Sequence, residues 1–367
     1  MKSKFNPFNP QFGQKPINFI GRNAQFNNII NGLSSPHSPY RTTLISGVRG
    51  SGKTSLLSSI ADEISQKNDW IVINTSMSDN LLLNIINLLK LKTKQKYLRI
   101  FDKIKDIGIE FMGLSLKVNF EKTEFRGFQT LMIELLNYLK EEDIKVLLVI
   151  DEVKSDKQMR ELASTYQVLL RENLDIALLM AGLPREVKLI LNDDVLTFLN
   201  RATKIFLNNI EPYEFKEAYK DIFKENDFKI SDDVLNELAI DTNGYPYIFQ
   251  LIGYYIWESN CHEIDTNVVN MAIEKSKSDL FINVHNVIFK EISKMDFEFL
   301  KAMAQDDGPS DIADIVKRLN KTKNYISQYR ARLLSSGLIE ANAWGSVCYT
   351  LPYMKEYIII RQHGLFK

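Results

Sequence analysis

The chain has 367 residues, which is enough for two or three domains and more than a single hydrophobic core usually supports. Its 46 basic and 46 acidic residues balance, so no whole-chain field attracts nucleic acid, and any polyanion site must be a local patch. The two cysteines, Cys261 and Cys348, exclude a disulfide framework and fit a reducing cytoplasm, and with four scattered histidines they show no metal-binding spacing.

The N-terminal segment, residues 1–20, is rich in Asn, Pro, Gln and Phe, which predicts an extended arm rather than a helix. We expect its phenylalanines to fasten the arm to the core, with contact to a partner as the alternative. This segment shows no signal-peptide pattern, and no apolar run in the chain approaches the length of a membrane span. We therefore expect a cytoplasmic protein without membrane contact.

The central motif is residues 47–54, which read G-x-x-x-x-G-K-T, the pattern of a nucleotide phosphate-binding loop. A buried strand is predicted just before the motif and a helix just after it, as such a loop requires. The alternative, a glycine-rich turn with a surface lysine, is disfavoured by these flanks. Backbone amides and the helix dipole would surround the phosphates, with Lys53 at the β- and γ-phosphates and Thr54 on Mg²⁺. The residues assigned to the loop are Gly47, Val48, Arg49, Gly50, Ser51, Gly52, Lys53, Thr54 and Ser55.

A second motif, residues 145–152, is a continuous apolar run that ends in Asp151 and Glu152. Such a run is typical of a parallel strand covered on both faces, and ligands bind beyond the carboxyl ends of such strands. We expect Asp151 to orient the Mg²⁺ shell and Glu152 to act as general base on the attacking water. By itself the pattern would favour a strand ending in a solvated acidic turn; beside the phosphate loop it favours the catalytic interpretation.

Three further runs complete a predicted five-stranded parallel sheet with helices on both sides. They are residues 70–74, 176–181 and 201–207. Residues 91–127 are predicted to be an insertion in this nucleotide-binding unit, which spans 21–210. The insertion contains a basic run, which we expect to be a solvated face with DNA binding as the alternative, and a hairpin at 107–120.

An all-helical pattern from residue 211 to about 285 predicts a small lid domain. Pro212 and Ser231 mark helix starts, and Gly244-Tyr245-Pro246 marks a break. Residues 286–367 predict a third domain, a winged helix-turn-helix. Its expected features are a helix capped by Ser310, a second helix capped by Thr322 and closed by Gly337, and two strands around a glycine-containing tip.

The charge pattern of residues 317–332 favours DNA, because this window holds six basic residues and no acid. Ile326, Leu333 and Leu334 are expected to face the core, with Ala331 outside, and Tyr325 and Tyr329 fit either packing or backbone contact. The residues expected to touch DNA are Lys321, Lys323, Asn324, Ser327, Gln328 and Arg330. A unit that only binds protein, or only packs, is the alternative.

In this order the motifs resemble those of AAA+ ATPases, and among them the origin-recognition-complex-like initiators and the STAND-type ATPases, over nearly the whole chain. The resemblance implies ATP and Mg²⁺ as cofactors and an AAA+ type of sheet with a helical lid. It implies that Gly21 and Arg22 frame the adenine and that Pro246 packs near the base. It also implies that Arg201 reaches the γ-phosphate of a neighbouring copy in a homo-oligomer.

Two departures from that family pattern predict slow hydrolysis. Gly182 stands where a polar side chain usually orients the attacking water, and residues 247–250 lack the usual lid arginine. We therefore expect a slow ATPase whose nucleotide state controls a DNA-binding winged helix. Two alternatives are a STAND-type signalling switch, whose winged helix contacts protein or autoinhibits, and a nucleotide-binding scaffold without hydrolysis.

Overall fold

The computed structural model describes residues 5–11, 20–96, 127–343 and 345–364. The predicted hairpin at 107–120 and most of the predicted insertion lie outside the described residues. Within the described ranges, no helix combines the length and the apolar character that a membrane crossing needs.

The central element is a five-stranded sheet in which every neighbouring pair is parallel, as the sequence predicted. The strands are β1 (Thr42–Ser46), β2 (Trp70–Ser76), β3 (Lys145–Asp151), β4 (Ile176–Gly182) and β5 (Thr203–Phe206), in the order β2-β3-β4-β1-β5. Because the strands are parallel, their carboxyl ends, and with them the phosphate loop and the acidic pair, meet at one edge.

Both faces of the sheet are covered by helices, because side chains along each strand alternate between the faces. Val146 and Leu148 of β3 pack into the core on one face, and Leu147 and Val149 pack into the core on the other. The first face carries α3 (Leu81–Lys96), α4 (Phe128–Lys140), α5 (Lys157–Arg171) and α6 (Pro184–Leu191). The second face carries α1 (Asn23–Leu33) and α2 (Lys53–Ser65).

A helical unit follows the sheet. It consists of α7 (Pro212–Glu225), α8 (Asp232–Asp241), α9 (Pro246–Glu258) and α10 (Thr266–Leu280), with a parallel pair of short strands, β6 (Lys229–Ile230) and β7 (Glu263–Ile264). Pro212 occupies the first turn of α7, and the Ser231 side chain caps α8, as predicted. The N-terminal arm is fastened to this unit by Phe8, whose ring packs against Tyr219 and Phe249.

The connection to the C-terminal part is helical. α10 continues through a π-helical turn, Phe281–His285, directly into α11 (Asn286–Glu291). The predicted boundary between residues 285 and 286 therefore falls inside a continuous helix. A helix, rather than a loop, joins the two units.

Within the described residues, the C-terminal part contains four helices and a small antiparallel sheet. These elements are α12 (Lys294–Met303), β8 (Ser310–Asp311), α13 (Ile312–Leu319), α14 (Lys323–Ser336), β9 (Ile339–Ala341), β10 (Ser346–Tyr349) and α15 (Met354–Gln362), with strand order β8-β10-β9. Thr322 caps α14 and Gly337 closes it with φ +72°, as predicted. The expected capping by Ser310 was wrong: Ser310 pairs with Val347 as part of β8, and Asp311 precedes the helix instead.

Candidate nucleotide-binding site

The phosphate loop connects the end of β1 to the start of α2. Gly50 and Gly52 have φ values of +79° and +91°, which side chains rarely allow, so the backbone of the loop requires glycine at these two positions. The Lys53 ammonium donates to the carbonyl oxygens of Gly47 and Val48 at 2.9 and 2.8 Å. Burial lowers the pKa of Lys53 to about 8, against the opposing charge of Asp151.

The acidic pair lies beside the loop. The Thr54 hydroxyl donates to Asp151 Oδ2 at 2.5 Å, although 97 positions separate the two residues. The Glu152 amide donates to Asp151 Oδ1 at 2.8 Å, and Glu152 itself has φ +56°, a left-handed conformation that is strained for a non-glycine residue. A hydroxyl and a carboxylate held this close are oxygen ligands of the type that Mg²⁺ prefers, so these residues fit the implied cation.

Gly21 and Arg22, expected to frame the adenine, and the break at Gly244-Tyr245-Pro246 both contact residues 208–210. The Arg22 guanidinium is buried and donates to the Asn208 carbonyl; burial lowers the pKa of Arg22. A side chain at Gly21 would place its Cβ 2.8 Å from Ile210 Cδ1, and the Ile210 amide donates to the Gly244 carbonyl at 2.8 Å. This brings the segment of Gly21 and Arg22 to the lid, where the half-buried Pro246 opens α9.

A contact that sequence reasoning missed joins the lid to the phosphate loop. The hydroxyl of Tyr245 donates to the Arg49 carbonyl, and its ring lies over Gly50. The tyrosine is 1% exposed. The only sequence feature that pointed to Tyr245 was its position within the break Gly244-Tyr245-Pro246.

Gly182, the last residue of β4, is tightly packed against Val153. A Cβ at Gly182 would lie 3.0 Å from Val153 Cγ2 and 3.2 Å from the Val153 carbonyl oxygen. α9 contains no arginine or lysine. Neither of the two transition-state groups that the family usually supplies is therefore present at these positions.

Arg201 lies apart from this chain's own phosphate loop. It ends the short helical turn Thr197–Arg201 just before β5, and it is exposed. The loop follows the carboxyl end of β1, which runs parallel to β5, so Arg201 is at the opposite edge of the sheet.

The basic window of the C-terminal unit is less positive than its sequence indicates. Among the described residues, three of the six basic side chains in residues 317–332 form ion pairs with carboxylates outside that range. These pairs are Lys317 with Asp314 at 3.0 Å, Arg318 with Asp306 at 2.5 Å, and Arg332 with Asp296 at 2.6 Å.

The other three cations of the window are Lys321, Lys323 and Arg330, all among the residues expected to touch DNA. Lys321 and Lys323 are exposed, and Lys321 Nζ lies 5.9 Å from the centre of the Tyr325 ring. Arg330 is half-buried. The polar candidates Asn324, Ser327 and Gln328 are exposed, while Ile326 and Leu333 are buried as predicted and Leu334 packs against the same core.

The second half of α14 faces α6 across a cleft of about 890 Å³. Ala331, predicted to face outward, is exposed but lines this cleft. At the end of α14 a Cβ on Gly337 would lie 2.9 Å from Pro184 Cγ and 3.3 Å from Val48 Cγ1. The phosphate loop is thus in contact with the lid through Gly50 and with the C-terminal unit through Val48.

Comparison with known families gives two matches. The model of the KAP family P-loop domain matches residues 22–210, and that of a domain of unknown function, DUF8462, matches residues 282–358. By sequence the chain is 22% identical, over 95% of its length and 90% of the relative's, to an uncharacterized HTH-type transcriptional regulator of Methanocaldococcus jannaschii.

Among solved structures, the chain is similar to the Walker-type ATPase of Pyrococcus abyssi, with a TM-score of 0.66 and 16% identity over 94% of this chain and 97% of that one. The ORC2 protein of Aeropyrum pernix has a TM-score of 0.48 and 13% identity, with 96% and 98% of the two chains covered. The first similarity shows a shared fold across all three units.

Proposed function

We infer the function from one premise: the chain belongs to the KAP family of P-loop domains and is therefore a P-loop ATPase. We propose that it binds ATP with Mg²⁺ at the loop between β1 and α2, hydrolyses it slowly, and uses the nucleotide state to control DNA binding by its C-terminal unit. The observation that carries the proposal is that one loop, residues 47–55, lies against both other units.

The chemistry assigned to the site follows from its contacts. Lys53 and the loop amides would bind the phosphates, and Arg22 and Pro246 would frame the adenine, as the resemblance implies. Thr54 and Asp151 would hold Mg²⁺, which when bound polarises the phosphoryl oxygens. Glu152 leaves the strand immediately after Asp151 and would take the proton of the attacking water.

Slow turnover is supported by the same geometry. Gly182 packs tightly against Val153 and has no side chain that could orient the attacking water, and α9 contains no arginine or lysine. An arginine such as Arg201 could then come only from a second copy, so assembly would accelerate turnover. Phosphate release from wild type and from Glu152→Gln tests hydrolysis directly: loss of release in the variant supports it, and equal release supports a scaffold that does not hydrolyse ATP.

For the C-terminal unit we propose a winged helix that binds duplex DNA, with α14 in the major groove. The start of α14 and the turn before it present an exposed, basic and polar surface, and the amino-terminal part of a recognition helix is the part that meets base edges. This surface consists of Lys321, Lys323, Asn324, Ser327 and Gln328. The name of the M. jannaschii relative, an HTH-type regulator, supports the same function.

The test is a titration of full-length protein with duplex DNA at two salt concentrations, with and without MgATP. DNA binding through these cations predicts an affinity that falls steeply with salt and that changes when MgATP is added. An affinity that is the same with and without MgATP would contradict nucleotide control.

The second candidate is a STAND-type signalling switch whose C-terminal unit docks on protein or autoinhibits. It is favoured by two observations: half of the basic window is paired with carboxylates, and Ala331 lines a cleft against α6. Tight MgATP binding together with no salt-dependent affinity for duplex DNA would select this candidate.

A further inference from the structure

The lid residue Tyr245 contacts the phosphate loop at its backbone. We propose that Tyr245 is a positioning residue: it aims the Gly50 amide at the bound phosphates and thereby ties nucleotide binding to the position of the lid. The inference rests on the proposed ATP binding at this loop and adds a residue to it.

The geometry of one peptide unit carries the argument. Tyr245 donates to the carbonyl oxygen of Arg49, so that carbonyl points toward the lid. The described chain has no cis peptide bond, and in a trans peptide the carbonyl and the following N–H point in opposite directions. The N–H of Gly50 is therefore held pointing away from Tyr245.

Steric contact reinforces the hydrogen bond. Gly50 has φ +79°, and a Cβ there would lie 2.7 Å from Tyr245 Cζ, so the tyrosine ring occupies the space that any side chain would need. The ring is fully buried, and burial raises the pKa of Tyr245 far above its ordinary value. The hydroxyl thus stays protonated and keeps its role as donor.

The same residue is fixed to the lid. Its amide donates to the Thr242 carbonyl at 3.0 Å, it directly precedes α9, and the neighbouring Gly244 accepts from Ile210. Because Tyr245 cannot move without releasing the Arg49 carbonyl, the arrangement that points the Gly50 amide away from the lid tyrosine is also the one in which the lid is docked. A bound phosphate would stabilise both together.

A matched pair of variants tests the inference. Tyr245→Phe removes only the hydroxyl, and Tyr219→Phe removes an equally buried hydroxyl that donates to the Phe249 carbonyl within the lid at 2.9 Å. Calorimetric titration with MgATP should show a dissociation constant about threefold to tenfold higher for Tyr245→Phe, the range expected for one hydrogen bond, and an unchanged value for Tyr219→Phe.

Hydrogen exchange of the wild type gives a second readout that does not depend on a variant. Addition of MgATP should slow exchange in residues 246–258, which form α9. Equal MgATP affinity in wild type and Tyr245→Phe, or unchanged exchange in α9, overturns this inference alone. No MgATP binding by wild type overturns the proposed function and the inference with it.

Discussion

The buried environment of Lys53 makes nucleotide binding sensitive to pH. Its ammonium touches two loop carbonyls, and desolvation lowers its pKa to about 8. A bound triphosphate stabilises the charged ammonium of Lys53 and raises its pKa. Where Lys53 of the free protein is neutral, nucleotide binding must therefore be accompanied by protonation of Lys53.

We therefore expect ATP affinity to be constant below about pH 8 and to fall by up to about tenfold per pH unit above it. Titrations between pH 7 and pH 9.5 measure this. The matched variant is Lys53→Met, which has no titrating group and should show weak binding without the dependence. A flat profile in the wild type would contradict either the lowered pKa of Lys53 or its contact with the phosphates.

At the scale of the element, the lysines of α13 and α14 differ in whether a carboxylate pairs with them. Lys317 is paired with Asp314 one turn earlier, whereas Lys323, in the first turn of α14, is exposed among polar candidates. An exposed lysine that contacts a DNA phosphate releases a counterion, and a lysine already neutralised by a carboxylate releases fewer.

Lys323→Ala should weaken DNA binding and reduce the slope of log affinity against log salt by roughly 0.9. Lys317→Ala, the matched control on the neighbouring helix, should leave the slope near the wild-type value. Fluorescence anisotropy over a series of salt concentrations measures both. Equal slopes in the two variants would show that α14 does not approach the phosphates as proposed.

The π-helical turn between α10 and α11 contains a buried histidine. His285 is 0% exposed, its ring stacks on Tyr357 at 5.0 Å, and burial lowers its pKa to about 3. The imidazole binds a proton less readily in the folded protein than in the unfolded chain. Between about pH 6.5 and pH 3, His285 is therefore protonated in the unfolded state but neutral in the folded state.

The stability contributed by neutral His285 is therefore complete above about pH 6.5 and lost as pH falls toward 3, by on the order of 5 kcal/mol at most. Denaturant unfolding at pH 7, 6 and 5 should show His285→Phe losing part of the acid sensitivity of the wild type. His37→Gln, at an exposed position, should keep it. The same acid sensitivity in all three proteins would contradict the assignment.

At the scale of the whole molecule, the sequence predicted the elements better than their contacts. β1 to β5 and the caps at Thr322 and Gly337 follow from local patterns of apolar residues, hydroxyls and glycine, so they were predictable. The pairing of Arg318 with Asp306 was not, because that acid lies outside the charged window and reaches it only through tertiary packing.

The same limit applies to the site. The G-x-x-x-x-G-K-T spacing predicted the loop and its lysine, and the strand pattern predicted Asp151. The contact of Tyr245 with Arg49 and that of Gly337 with Val48 join positions far apart in the chain, and no local periodicity encodes them. These contacts are the ones that turn three separate units into a candidate switch.

The most direct test of the account is calorimetric titration of MgATP into the full-length wild type and into Lys53→Ala. We predict a saturable heat in the wild type, equivalent to one site per chain, and its loss in the variant while the fold is retained by circular dichroism. Absence of heat in the wild type, or equal binding by Lys53→Ala, would contradict the claim that a triphosphate binds at this loop.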